Sequence, residues 1–120
     1  MAVSVTNQAT PLGSRIVQDT DADGTAKDNT TGTTGSLYYV EVVNPNGGLV
    51  YFKMADTTDA TSGTTAANLV VTCAGSATTR VILPAGIAFA AGFSHWCVTG
   101  VGENQTGNPS SNVTVRYVTS

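Results

Sequence analysis

Nowhere does this chain space apolar residues at the three- and four-residue intervals of a helix. Short runs rich in Val, Tyr, Phe and Thr recur instead between clusters of Gly, Asn and Pro. The runs "AVSVTN", "SRIVQ", "SLYYVEVVN", "LVYFKMA", "NLVVTCA", "TTRVILP", "SHWCVTG" and "NVTVRYVT" read as strands, with a short further piece at "GIAFA". About eight strands without a repeat predict an all-β, single-domain β-sandwich, jelly-roll-like, with long polar loops. At 120 residues one domain is expected. Within it, residues 1–35 read as an amino-terminal strand or arm with an Asp-rich loop, and residues 36–120 as the sandwich core.

Alternation within these runs assigns faces. In "NVTVRYV", Val113, Val115 and Tyr117 point one way and Thr114, Arg116 and Val118 the other, and the second face is less polar than an exposed edge needs. Around "NPNGG", Asn44 to Gly48, a hairpin is expected in which Tyr38, Val40 and Val42 lie opposite Met54, Phe52 and Val50 as core. Its outer face then carries Tyr39, Glu41, Tyr51 and Lys53, a mixed surface suited to solvent or to a neighbouring subunit.

Charged residues make up 11% of the chain, against roughly 25% in ordinary soluble proteins, while 41% are hydrophobic. A formal charge of -3 leaves no basic footprint, so neither nucleic acid nor an anionic membrane is expected as a partner. The start, "MAVSVTNQATPLG", has no positive n-region and no apolar h-region, and reads as mature protein made without a secretory signal. On that reading Cys73 and Cys97 are expected as buried free thiols rather than a disulfide, and the sequons at Asn29, Asn104 and Asn112 carry little weight.

The run "DTDADG" raises the question of calcium. Asp19, Asp21 and Asp23 fall on the first, third and fifth positions of a calcium loop, with Gly24 at the turn. The pattern then fails: Lys27, a cation, stands ninth, and Thr30 stands twelfth where a bidentate Glu belongs. The reading taken is an acidic turn after a strand, with no metal and no cofactor. From Asp19 to Gly35, and again from Asp56 to Ala67, no apolar residue exceeds alanine, so both segments are expected as loops. With "GVGENQTGNPSS" they make three long polar loops, suited to contact rather than chemistry.

Catalytic constellations are thin. His95 is the single histidine and alternates with Cys97, so the two share a strand face, and Cys73 offers a third sulfur or nitrogen ligand without a fourth. Packing is the expected role of all three, and Ser94 has no nucleophile-elbow context. A sugar site needs exposed flat rings; Trp96 sits in an apolar strand and reads as core, which leaves Tyr39 and Tyr51.

From Leu49 to about Tyr117, the succession of "VYFK", a Thr- and Gly-rich loop, "LPAG", "GIAF" and the terminal "VTVRY" resembles small virion proteins of tailed bacteriophages. The resemblance leaves the Asp-rich loop uncovered. It implies a non-enzymatic structural protein of the virion, capsid cement or decoration first, with the major capsid protein as partner and a homotrimer as the working form. A tail or fibre module that binds host-surface glycan is the alternative.

Overall fold

The computed structural model describes residues 3–7 and 14–120. Eight strands are present: β1 (Val3–Asn7), β2 (Arg15–Ala22), β3 (Gly35–Asn44), β4 (Val50–Asp56), β5 (Leu69–Cys73), β6 (Ala77–Phe89), β7 (Phe93–Val98) and β8 (Val113–Thr119). They form a five-stranded antiparallel sheet in the order β1-β2-β8-β3-β6 and a three-stranded one in the order β5-β4-β7. The two pack face to face around Val17, Leu37, Val40, Val42, Val50, Phe52, Met54, Val113, Val115 and Tyr117.

The free edge of β7 is covered by residues 23–31, a strap held through its backbone. Lys27 N–H donates to His95 O at 2.8 Å and His95 N–H returns to Lys27 O at 3.1 Å. Thr30 N–H donates to Phe93 O at 2.8 Å, and Cys97 N–H to Asp23 O at 2.7 Å. Counting the strap as a strand between β2 and β3, one sheet core is β2-β8-β3-β6 and the other is strap-β7-β4-β5. This is the jelly-roll order: a long hairpin whose outermost arms are β2 and β8 and whose tip is the β4–β5 turn, wrapped so that the chain keeps switching sheets.

That winding overturns the expected hairpin. β3 pairs with β6 and β8, and β4 with β5 and β7, so "NPNGG" carries the chain from one sheet to the other. The face assignment of Val40, Val42, Val50, Phe52 and Met54 stands, because these side chains meet across the sandwich instead of across a hairpin. Tyr38 departs from it. The register shifts between Leu37 and Tyr39, which turns Leu37 inward and leaves Tyr38 half-buried beside Gly86. The bulge opposite Tyr38 takes up "LPAG", so "GIAFA" is no separate strand but the end of β6.

One loop expectation also changes in part, while the other, for residues 57–67, stands. β2 runs on to Ala22, so Asp19 and Asp21 lie in a strand, and Val17 and Ala22 belong to the core. The segment 57–67 folds over the outer face of the smaller sheet, where Ala60 and Ala67, with Ala26 of the strap, cover Trp96. Trp96 is thus core, as expected, though in a second small cluster outside β7. No helix of the described residues is long and apolar enough to cross a membrane.

Candidate functional site

The densest group of ionisable side chains lies between the sheets. Asp19 comes from β2, Tyr117 from β8, His95 from β7, and Lys27 and Thr30 from the strap. His95 Nε2 is 2.7 Å from Asp19 Oδ2, and His95 Nδ1 is 2.9 Å from the Tyr117 hydroxyl. Tyr117 Oη also contacts Thr30 Oγ1, which lies 3.0 Å from Phe93 O. The Phe52 ring closes one side, 5.7 Å from the imidazole and 6.3 Å from the phenol. Asp19, His95 and Tyr117 are each fully buried.

Proton positions follow from what each atom can do. An ionised carboxylate only accepts, so His95 Nε2–H donates to Asp19. In a neutral ring Nδ1 then accepts, and the Tyr117 hydroxyl donates to it. Burial, the dominant influence, pushes the His95 pKa below its ordinary 6.5, against the pull of Asp19, which keeps the ring neutral near pH 7. Burial works to raise the Asp19 pKa, but hydrogen bonds from His95 and Asp21 outweigh it and hold the carboxyl well below the usual range. Tyr117 is pushed well above the ordinary phenol value, chiefly by burial.

Lys27 bears on the calcium question through its position. Its ammonium lies 3.3 Å from Asp19 Oδ2 and 3.4 Å from Asp21 O, and pairs with Asp21 Oδ1. Burial works to lower its pKa, yet the Asp21 and Asp19 carboxylates raise it, so the side chain stays charged. The residue that broke the calcium pattern therefore stands where a cation would. Asp23 is turned away, its Oδ1 accepting from Thr25 N–H at 2.8 Å. Among the described residues no group of three His, Cys, Asp or Glu is placed to hold a metal ion.

His95 and Cys97 do share the inner face of β7, and Cys73 joins the same core. Both cysteines are free and buried, and burial raises the Cys97 thiol well above its ordinary value, the opposite of what a nucleophile needs. Ser94 faces the other way, donating to Thr57 O and accepting from Asn29 N–H. The group is thus a cross-sheet rivet. An imidazole between a carboxylate and a phenol resembles a proton relay, but these three groups are each fully buried.

The four expected interface residues separate. Tyr51 and Lys53 lie on the outer side of the smaller sheet, where Lys53 is buried under residues 99–107 and donates to Gly102 O at 2.8 Å. Burial lowers its pKa, with Glu103 opposing. Tyr39 and Glu41 lie on the outer side of the larger sheet. There Glu41 accepts from Arg116 at 2.6 Å, from Arg80 at 3.1 Å and from the Tyr39 hydroxyl at 2.9 Å. Arg116 also donates to Gln18 at 2.7 Å.

Sequence reasoning missed Asp19 and Tyr117 as partners of His95, and Thr30 as a partner of Tyr117. One signal was present: alternation put Tyr117 on the same face as Val113 and Val115, and a phenol hydroxyl buried among valines requires a partner. Comparison with family models, with curated proteins and with solved structures finds no match to this chain.

Proposed function

We propose that this protein is a non-enzymatic structural component of a bacteriophage particle, a capsid cement or decoration protein that binds the assembled head and stabilises it. The observation that carries the reading is the burial of Asp19, His95 and Tyr117. The groups best suited to acid–base chemistry serve to join two sheets. What remains at the surface is low in charge and rich in Thr, Asn and Gly, a composition for contact between closely packed copies.

The jelly roll supports the reading without carrying it, since the same architecture serves capsids, lectins and cupins. The likeness of residues from Leu49 to about Tyr117 to small virion proteins points the same way. Binding of host glycan by a tail module has less behind it. Tyr39 and Tyr51 stand on different sheets and form no common platform. A cavity of about 300 Å³ between residues 45–50 and 109–111 has no aromatic lining. The Asn46 side chain there is already engaged with the Ser111 backbone in both directions.

Mass spectrometry of separated, purified heads and tails tests the proposal. The protein is expected with the heads, in a fixed ratio to the coat subunit; recovery in tails alone defeats it.

A further inference from the structure

The two sheets differ in how their outer sides are covered. The smaller sheet is roofed by its own chain, residues 57–67 over Trp96 and residues 99–107 over Lys53. The larger sheet has no such roof among the described residues, yet one row of directly opposed positions across it is apolar: Ile82 on β6, Tyr39 on β3, Val118 on β8 and Ile16 on β2. Ile82 is 62% exposed. Beside this row runs a second one, Arg80, Glu41, Arg116 and Gln18, tied together by the hydrogen bonds above.

Charge is unevenly shared. The uncovered face holds two arginines and one glutamate, a net +1 in a chain of formal charge -3, so the rest of the molecule stands at -4. Much of that surplus lies on and beside the strap. Asp21, Asp23 and Asp28 belong to the strap side, where Lys27 offsets one charge through its pair with Asp21, and Asp28 accepts from Ala60 N–H at 2.9 Å, which brings exposed Asp59 next to it. Sheet order fixes where these two regions sit. β6 is one lateral edge of the larger sheet, while β2 leads into the strap at the other side, so the Arg80–Ile82 end of the open face and the acidic strap lie on opposite flanks.

We infer that the open face, at its Ile82 and Arg80 end, docks on the acidic strap of a second copy of this chain. The two surfaces differ, so the contact is heterologous; repeated with a rotation that closes, it makes a ring, and the ring taken here is the homotrimer that the resemblance implies. Strand addition is not the mode. The β6 edge is blunted by Arg80, by Pro84 and by the bulge at Gly86, devices that keep an edge from pairing. The inference rests on the reading of this protein as one that acts in several copies, and it specifies the self-contact.

Sedimentation of wild type and two double variants tests it. Ile82→Glu/Arg80→Glu spoils the open face and Asp23→Lys/Asp59→Lys spoils the strap side; unchanged melting of each checks that the fold is kept. Wild type is expected to be a trimer whose dissociation constant rises at least tenfold between low and high salt. Each variant alone is expected to be a monomer, and an equimolar mixture to form a one-to-one dimer, because one intact pair of surfaces remains and the ring cannot close. A monomeric wild type, variants that still form the wild-type oligomer, or a mixture without dimer overturns the inference. Its failure is separable from that of the head-binding reading: a trimer that ignores heads defeats only the latter, and a monomer that binds heads defeats only the former.

Discussion

His95 Nε2 and Asp19 Oδ2 stand 2.7 Å apart with one partner on each sheet, and this bond, together with the one between His95 Nδ1 and the Tyr117 hydroxyl, joins the layers of the sandwich at its centre. The strap passes over the same point, and its Lys27 ammonium balances the carboxylate. Removing one partner of such a buried group leaves the other without compensation. Asp19→Ala is therefore expected to destabilise the fold by about 3–5 kcal/mol, measured by urea unfolding.

Acid should act in two stages. As pH falls through 6.5, the unfolded chain binds a proton at His95 that the folded interior disfavours, so stability declines. A second decline begins near pH 4.5 with Glu41 and continues through 3.8 with Asp19 and Asp56, carboxyls that protonate in the unfolded chain but remain ionised when folded. Melting temperature against pH checks this. His95→Gln should remove the upper stage and keep the lower one; an unchanged upper stage in that variant contradicts the account of His95.

Calcium should find no site in "DTDADG", because the Lys27 ammonium already lies between the Asp19 and Asp21 carboxylates. Titration calorimetry with millimolar calcium is expected to show no saturable heat. Saturable binding that Asp21→Ala abolishes would be incompatible with that arrangement.

Phe52 packs against both His95 and Tyr117 and is fully buried. Phe52→Ala should lower stability by about 3–5 kcal/mol, through lost burial and the cavity left behind. An almost unchanged denaturation midpoint would place Phe52 outside the core.

Gly86 has φ 76°, and a Cβ there would come 2.8 Å from Tyr38 Cε1. Gly86→Ala should therefore destabilise by more than about 1 kcal/mol. Gly47, where a Cβ would meet nothing within 4 Å, serves as the control, with a change within about 0.5 kcal/mol.

Alternation made the core faces legible. Val40, Val42, Val50, Phe52 and Met54 read as core, and Val113, Val115 and Tyr117 as sharing one face, because a strand has period two whichever strand it pairs with. Pairing was not legible. "NPNGG" has the chemistry of a hairpin turn, but a jelly roll pairs β3 with β6 and sends β3 and β4 to different sheets, a long-range outcome that no local signal carries. The strap escaped notice for a different reason: residues 23–31 contain no large apolar side chain, and backbone hydrogen bonds to β7 hold them. The rivet needed both pieces of information, since Asp19 and His95 are 76 residues apart and meet only once β2 and the strap are in place.

Head binding is the claim on which the functional account turns, and co-sedimentation measures it directly. Purified protein is mixed with expanded heads that lack it and, separately, with unassembled coat subunits. The account predicts saturable binding to heads, none to free subunits because the site is built from several subunits at once, and a higher bursting temperature for the occupied heads. Equal binding to free subunits, or no binding to heads together with retention on a host-polysaccharide column, would contradict it.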